Sequence, residues 1–320
     1  MVAHELRSQG IDAHAYTGAE AGIGTDGVAG NATITEVYPA PLRAALGRGE
    51  VPVVCGFQGV APDGRITTLG RGGSDTTACA LGVALEADSV EIYTDVEGVM
   101  TADPRTCDGA SVLSTIGADE LFQMARHGAR VVHTPAAELA LASGLAVRVR
   151  STFSDGEGTL VADLNAYRPD RVASAVTQTA DVARLSVELQ APEGTSDHMA
   201  AQTRVYGAMA DAGVSLDMFT PFESHLVFTV AAHALPAALA VLDTLGLDCE
   251  VRKDLAKVTL IGAGMHGVPG VMARSAEYLA DAGVVVLQTA DSHTTISVLV
   301  DASDATGAVD ALHWGFELGE

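Results

Sequence analysis

Lysine is almost missing from this sequence of 320 residues. Only two lysines stand beside 16 arginines, and no lysine precedes Lys253. A site for a nucleotide or a dicarboxylate in that long first part must therefore use arginines and helix amino termini. A phosphate site that depends on lysine is excluded there.

Cysteine is sparse as well. The four cysteines lack a Cys-x-x-Cys pair or Cys/His ligand spacing, which predicts reduced structural thiols and no metal site. They are Cys55, Cys79, Cys107 and Cys249. His127 and His133 are interpreted as helix-end or packing residues rather than metal ligands.

Positive charge and long apolar runs are also in short supply. The net charge of -23 excludes nucleic acid and anionic membranes as favoured partners. The first ten residues carry charges and no apolar run, so we expect neither a signal peptide nor a membrane span, and a cytoplasmic location. With 48% hydrophobic residues, the chain can bury more than one core, which predicts two or three domains.

The first half alternates strand and helix patterns, which predicts a layered α/β domain. The predicted helices span residues 41–46, 76–86, 118–126 and 134–143. The predicted strands span residues 51–56, 66–69, 90–94 and 146–151. Turns and a linker are predicted at 153–159 and 165–170.

The second half contains an internal repeat. Met-Ala-Asp-Ala-Gly-Val at 209–214 recurs as Leu-Ala-Asp-Ala-Gly-Val at 279–284. Around the first copy we predict strand, helix, strand, strand, helix and strand at 183–189, 197–212, 214–219, 226–230, 235–245 and 249–253. Around the second copy we predict the first five of these elements at 257–261, 268–282, 284–288, 294–300 and 305–314. Two ferredoxin-like βαββαβ units in tandem follow from this pattern.

A glycine-rich segment in the first half is the strongest candidate for chemistry. Gly-Arg-Gly-Gly-Ser-Asp, Gly70 to Asp75, lies between a predicted strand and a predicted helix. Glycine lets the backbone approach a ligand, and a helix amino terminus favours an anion. The structural alternative is that Ser74 or Asp75 serves only as a helix N-cap.

Two segments in this order, residues 67–78 and then Tyr-Thr-Asp-Val-Glu-Gly-Val-Met-Thr-Ala-Asp-Pro-Arg at 93–105, resemble the catalytic core of aspartate kinases. The resemblance implies an α/β fold, namely an amino-acid kinase-like αβα sandwich followed by two ferredoxin-like ACT units. The implied boundaries are 1–163, 164–253 and 254–320. The family's Lys-Phe-Gly-Gly segment has no counterpart in this sequence, so we expect a truncated kinase-like domain.

The resemblance also implies a substrate pocket. Arg71 would hold a substrate carboxylate through its bidentate fork, and Asp75 would pair with the α-ammonium group. Ser74 would line the same pocket. The implied ligand is a small amino acid or dicarboxylate.

Five further residues match family positions near the nucleotide. Thr94 and Asp95 match positions beside it, and Asp103 and Arg105 match the loop that closes over the adenosine and its phosphates. A turn with an internal ion pair is the structural alternative for that loop. Arg130, in Gly-Ala-Arg-Val-Val-His-Thr-Pro, stands where the family usually has a lysine that contacts phosphate.

Three hypotheses for function stay open. The first is that aspartate phosphorylation has been lost or replaced, and that the pocket serves another reaction or ligand, in specialised metabolism for example. The second is a working aspartate kinase, using ATP and magnesium, alone or completed by a separate N-terminal subunit. The third is a non-enzymatic ACT regulatory subunit that uses its ACT pair to bind a partner kinase or an amino acid. In each case we expect a homodimer formed through the ACT-like units.

Overall fold

The computed structural model describes residues 1–129, 132–162, 171–189, 196–222, 225–265 and 267–319. Contacts divide the chain into two compact units. Unit 1 comprises Met1–Met100 and Val112–Asp170, and unit 2 comprises Thr101–Ser111 and Arg171–Glu320. No helix in the described part of the chain combines the length and apolar character needed to cross a membrane.

Unit 1 is a mixed α/β unit. Its helices are α1 (Val2–Ser8), α2 (Ala40–Gly47), α3 (Gly73–Leu85), α4 (Ala118–Arg126) and α5 (Thr134–Ser143). Its strands are β1 (Ala13–Tyr16), β2 (Ile23–Thr25), β3 (Ile34–Val37), β4 (Val51–Val54), β5 (Gln58–Val60), β6 (Ile66–Thr68), β7 (Val90–Thr94), β8 (Thr115–Gly117), β9 (Val147–Ser151) and β10 (Thr159–Ala162).

The sheets of unit 1 contain several parallel pairs, as the strand–helix alternation predicts. Strand β1 pairs with β4 in parallel, and a four-stranded sheet has the order β7-β9-β10-β8. Within it, β7 with β9 and β10 with β8 are parallel, whereas β9 and β10 are antiparallel. A further four-stranded sheet has the order β3-β2-β5-β6. Helix α5 packs against α3 and α4.

Helix α3 begins at Gly73, three residues before the predicted start at Thr76. The reason is Gly72, which adopts φ +68° as the N-cap and turns the chain directly into the helix. Ser74 and Asp75 therefore lie in the first helical turn. The alternative that one of them is the N-cap is wrong.

Unit 2 is built on one antiparallel sheet with the order β12-β13-β11-β14-β16-β15. Its strands are β11 (Ala175–Glu188), β12 (Asp217–Pro221), β13 (His225–Ala231), β14 (Cys249–Ile261), β15 (Gln288–Asp291) and β16 (Thr295–Asp301). Its helices are α6 (Ser196–Asp211), α7 (Leu235–Leu245), α8 (Val271–Asp281) and α9 (Ala305–Gly315).

The two central strands of this sheet serve both repeats. The first part of β11 pairs with the end of β14 and packs, through Val176, against α8 and α9. The second part pairs with the start of β14 and packs, through Leu185, against α6 and α7. Asp181 and Asp254, at φ +56° and +55°, lie near the register shift that separates the two parts. The second repeat, predicted with five elements, thus takes its sixth strand from residues 175–179, which were not predicted as strand.

Both copies of the sequence repeat, 209–214 and 279–284, mark the C-terminal end of a helix. Gly213 has φ +69°, its N–H bonds Ala210 O, and the N–H of Val214 bonds Met209 O at 2.9 Å. The second copy repeats both bonds at Gly283 and Val284. The strands predicted to start at Val214 and Val284 therefore begin later, at Asp217 and Gln288, because the two valines are buried as part of the helix ends.

Candidate functional site

The glycine segment before α3 is shaped by close contacts. Gly70 and Gly72 have φ +77° and +68°, a region that favours glycine. A Cβ on Gly72 would overlap the Cβ and Cγ atoms of His133, and a Cβ on Gly73 would lie 2.7 Å from that of Leu69. His133 therefore lies directly on the backbone that carries the predicted pocket residues.

Arg71 is exposed, and its guanidinium makes no hydrogen bond or ion pair to any residue that the structure describes. Ser74 is also exposed and lies beside Gly56, whose added Cβ would be 3.5 Å from the serine Oγ. An exposed guanidinium next to a helix amino terminus is a suitable anchor for a carboxylate.

Asp75 is half-buried, and burial raises the pKa of its carboxyl group. The backbone N–H of His133 and the charge of its ring oppose this shift. One turn further along α3, burial and the charge of Asp75 raise the pKa of the Cys79 thiol to about 11, which leaves the thiol protonated. A carboxylate that burial disfavours gains from a cationic partner, and an ammonium group is one.

Sequence reasoning missed the contacts that His133 makes with Gly72 and Asp75. His133 is the N-cap residue of α5, and His127 is the C-cap residue of α4, so both histidines stand at helix ends as predicted. The Nδ1 atom of His133 is buried and has no partner among the described residues. The only sequence signal was its place in the segment 128–135, which carries no hint of a contact with Gly72 and Asp75.

Thr94 and Asp95 follow each other at the carboxyl end of β7. The Thr94 hydroxyl donates to Asp95 Oδ1 at 3.1 Å, and Thr94 is opposite Ser151 of the parallel strand β9. The carboxyl ends of parallel strands are a usual place for ligands in α/β folds. Asp95 is exposed there.

Asp103 and Arg105 belong to unit 2 by their contacts. Arg105 donates from Nε and Nη2 to the two oxygens of Asp103 at 2.9 and 2.6 Å. This bond raises the pKa of the guanidinium, whose side chain is 75% exposed. The turn with an internal ion pair is thus present, and the nucleotide role of both residues stays a prediction. Arg130 lies outside the described residues.

One group of potential metal ligands occurs among the described residues. His14 Nδ1 lies 3.5 Å from Asp12 Oδ1 and 3.9 Å from Glu50 Oε2. Glu50 is already paired with Arg48 at 2.6 Å, which offsets part of the negative charge that would attract a cation.

Comparisons with known proteins agree with this architecture. Residues 1–151 match the amino acid kinase family, and residues 250–314 match the ACT domain. Aspartokinase 1 of Bacillus subtilis is 41% identical over 98% of this chain and 78% of its own length. The chain belongs to the aspartokinase family.

Other aspartokinases are similar over the same extent. The aspartokinase of Thermus thermophilus is 39% identical over 99% of this chain and 80% of its own length. The crystal structure of E. coli aspartokinase III in complex with aspartate and ADP has a TM-score of 0.82 at 28% identity. It covers 98% of this chain and 72% of that chain. The predicted fold, an amino-acid kinase fold followed by ACT-type domains, is therefore confirmed.

Proposed function

We propose that this protein is an aspartate kinase. An oxygen of the aspartate side-chain carboxylate attacks the γ-phosphorus of ATP, the bond from that phosphorus to the β,γ-bridging oxygen breaks, and 4-phospho-L-aspartate and ADP are formed. The observation that carries the proposal is 41% identity to a named aspartokinase across 98% of the chain. It favours the second hypothesis over loss of the activity.

The pocket supports aspartate as the acceptor. The exposed guanidinium of Arg71 takes the α-carboxylate through two N–H donors, which leaves the side-chain carboxylate free to react. The half-buried Asp75 takes the α-ammonium, which compensates the charge that burial disfavours. Ser74, exposed in the same helical turn, adds a hydroxyl.

Among the residues of this sequence, arginines are the side chains that we propose for charge neutralisation at the phosphates. Phosphoryl transfer depends on positioned cations, and no lysine occurs before Lys253. Arg105 and Arg130 are the proposed cations, with magnesium arriving as the ATP complex. A separate subunit that supplies a further cation is the other form of this proposal.

The ion pair of Arg105 with Asp103 favours a second candidate function, because it offsets part of the positive charge that would face a phosphate. A pocket that keeps Arg71, Ser74 and Asp75 but has weak phosphate contacts can bind aspartate or another small amino acid without fast phosphoryl transfer. This second candidate includes the first hypothesis, a lost or replaced activity, and the third, a non-enzymatic regulatory subunit.

We also propose a homodimer in the cytoplasm. The sheet of unit 2 ends in the strands β12 and β15. Phe219 in β12 and Phe222 just after it are 59% and 47% exposed. An open strand edge with apolar side chains favours pairing with a second copy.

The test is a hydroxamate assay with aspartate, ATP and magnesium on Arg71→Ala and Arg71→Lys. Loss of a charged carboxylate contact of about 2 to 4 kcal/mol corresponds to a fall of about 30- to 1000-fold in kcat/KM for aspartate. The lysine variant should recover part of this, because an ammonium group lacks the planar fork.

Arg65→Ala is the matched control, since Arg65 is an exposed arginine of the same unit that pairs locally with Asp63 at 2.7 Å. It should stay within about twofold of the wild type. Equal activity of the Arg71 and Arg65 variants would show that the assignment of Arg71 to the aspartate pocket is wrong. Aspartate binding by the wild type with no hydroxamate formed would favour the second candidate.

A further inference from the structure

Arg71, the proposed carboxylate anchor, lies between two glycines. Gly70 and Gly72 have φ +77° and +68°, and the exposed guanidinium of Arg71 makes no hydrogen bond or ion pair to the described residues. The direction of this side chain therefore depends on the backbone that carries it. A glycine on each side leaves that backbone free to adopt many conformations, unless contacts from elsewhere in the fold hold it.

Asn31 covers the first of these glycines. An ideal Cβ on Gly70 would lie 2.5 Å from Oδ1 of Asn31 and 3.5 Å from its Cγ, so the side-chain amide rests on the Cα of Gly70. The next residue, Ala32, is buried, and its N–H donates to the carbonyl oxygen of Thr68 at 2.9 Å. This bond holds Asn31 beside the end of β6, where the glycine segment begins.

The loop that carries Asn31, residues 26–33, has internal hydrogen bonds of its own. Asp26 Oδ1 accepts from the N–H of Val28 at 3.0 Å and from that of Thr33 at 3.2 Å, and the Asp26 N–H donates to Thr33 O at 3.1 Å. The side chain of Asn31 is exposed and makes no hydrogen bond to the residues that the structure describes. The loop therefore folds without the side-chain amide that rests on Gly70.

His133 covers the second glycine. A Cβ on Gly72 would overlap the Cβ and Cγ atoms of His133. His133 is the N-cap residue of α5, and its carbonyl accepts from the N–H groups of Ala136 and Ala137 at 2.9 and 3.1 Å. Both alanines are buried. The imidazole ring is thus carried by a helix start that is fixed in the core.

We propose that Asn31 and His133 are positioning residues for the aspartate pocket. By covering the glycines before and after Arg71, they hold the backbone in the conformation that directs the guanidinium at the substrate carboxylate. They act through this backbone and not by touching the substrate. A guanidinium whose backbone is ordered before binding loses less conformational freedom when it takes a carboxylate, so the affinity rises. The inference rests on the proposed function, since it takes Arg71 as the carboxylate anchor.

Each contact has one variant that removes it and one that keeps its shape. Asn31→Ala and His133→Ala uncover the glycines, whereas Asn31→Leu and His133→Phe keep a branched or a planar group over them. Val28→Ala is the control for the loop, because Val28 is an exposed residue of the same loop. His127→Ala is the control for the histidine, because His127 is a second helix-end histidine of this unit.

The measurements are the Kd of aspartate by titration calorimetry without nucleotide, the KM of MgATP, the unfolding temperature, and amide exchange in residues 70–76. The last of these includes the N–H groups of Gly73 and Thr76, which donate to Gly70 O and Gly72 O at 3.2 Å each. Amide exchange therefore reports on the order of the glycine segment whether or not a ligand binds.

For each alanine variant we expect the Kd of aspartate to rise about three- to tenfold, the cost of ordering one flexible side chain, and amide exchange to quicken about threefold or more. The KM of MgATP should stay within about twofold, as should the aspartate Kd of the two control variants. Asn31→Leu and His133→Phe should recover most of the affinity. Asn31→Ala should unfold within about 2 °C of the wild type, because its amide makes no hydrogen bond to the described residues.

A second background separates positioning from a general loss of structure. In Arg71→Lys, the further substitution Asn31→Ala or His133→Ala should change the aspartate Kd by less than about twofold, because an ammonium group makes no paired contact that needs a fixed direction. A loss of structure alone would lower the affinity equally in both backgrounds.

An unchanged aspartate Kd in either alanine variant would overturn the inference, and so would an equal loss in the Arg71→Lys background. Unchanged amide exchange would overturn the ordering of the glycine segment. No aspartate binding by the wild type would overturn the role in the pocket. A wild type that binds aspartate and forms no aspartyl phosphate would contradict the proposed function alone, and the Kd comparison would still decide this inference.

Discussion

Alanine at Gly72 probes the contact on which the shape of the candidate pocket depends. Gly72 has φ +68°, and its Cα lies against the His133 ring, so an added methyl group meets both a strained backbone and an occupied space. Gly144, at the end of α5 in the same unit, has φ +66° and no atom within 4 Å of an added Cβ. The two sites thus share the backbone strain and differ in the overlap.

The expected loss of stability follows from these two terms. A left-handed backbone costs alanine about 1 to 2 kcal/mol at either site. Overlap with a packed side chain adds about 1 to 3 kcal/mol at Gly72 alone. Gly72→Ala should therefore unfold about 2 to 12 °C below Gly144→Ala, since 1 kcal/mol shifts the melting temperature of a unit of this size by about 2 to 4 °C.

Urea and thermal unfolding by far-UV circular dichroism measure this difference. Trp314, the single tryptophan, lies in unit 2, so its fluorescence identifies the transition of that unit. The double variant Gly72→Ala/His133→Gly removes the obstacle and should show a coupling free energy of about 1 to 2 kcal/mol. Equal destabilisation by the two alanine variants would refute the contact between His133 and Gly72.

Two further predictions use pH. Burial raises the pKa of folded Asp75 above its usual 3.8, so the stability that its protonated form contributes is lost as pH rises through the folded pKa. The unfolding temperature of Asp75→Asn should therefore be higher than that of the wild type at pH 7.5, and the difference should be smaller at pH 4. Added free aspartate should stabilise the wild type and not Asp75→Asn. Burial lowers the pKa of His313 below 6.5, with Asp310 opposing the shift, so unit 2 should lose stability as pH falls below about 6.5. His313→Gln should remove this loss of stability at low pH, measured by Trp314 fluorescence during unfolding. If the stability of unit 2 depends on pH as in the wild type, the prediction is wrong.

Elements with local signals were predicted to within a residue or two. Helix α5 and helix α7 end where Gly144 and Gly246 take positive φ, and their last residues, Ser143 and Leu245, are those of the predicted spans 134–143 and 235–245. Strand β7 has its predicted bounds as well. These features depend on neighbours in the sequence, which is why one sequence suffices to find them.

Features that depend on distant partners were not predicted. The first residues of β11 carry no strong strand pattern, and they form a strand because Ala175–Thr179 pair with the end of β14. The contact of His133 with Gly72 and the bond between Thr101 and His313 join residues far apart in the chain. Motif matching identified Arg71, Ser74 and Asp75 as a set, but it assigned Asp103 and Arg105 to the kinase-like domain, and their contacts lie in unit 2.

The shared strands limit how the regulatory half can be studied. The predicted boundary after residue 253 falls inside β14, a continuous strand from Cys249 to Ile261. A fragment that starts at 254 would lack Ala175–Thr179, which pair with Lys257–Ile261, and would expose the core around Val258 and Leu260. It would also lack Thr101, which leaves Nε2 of His313 buried without its partner. The two repeats and residues 101–111 therefore have to be perturbed by point substitution within the whole chain, because each of them completes the core of another.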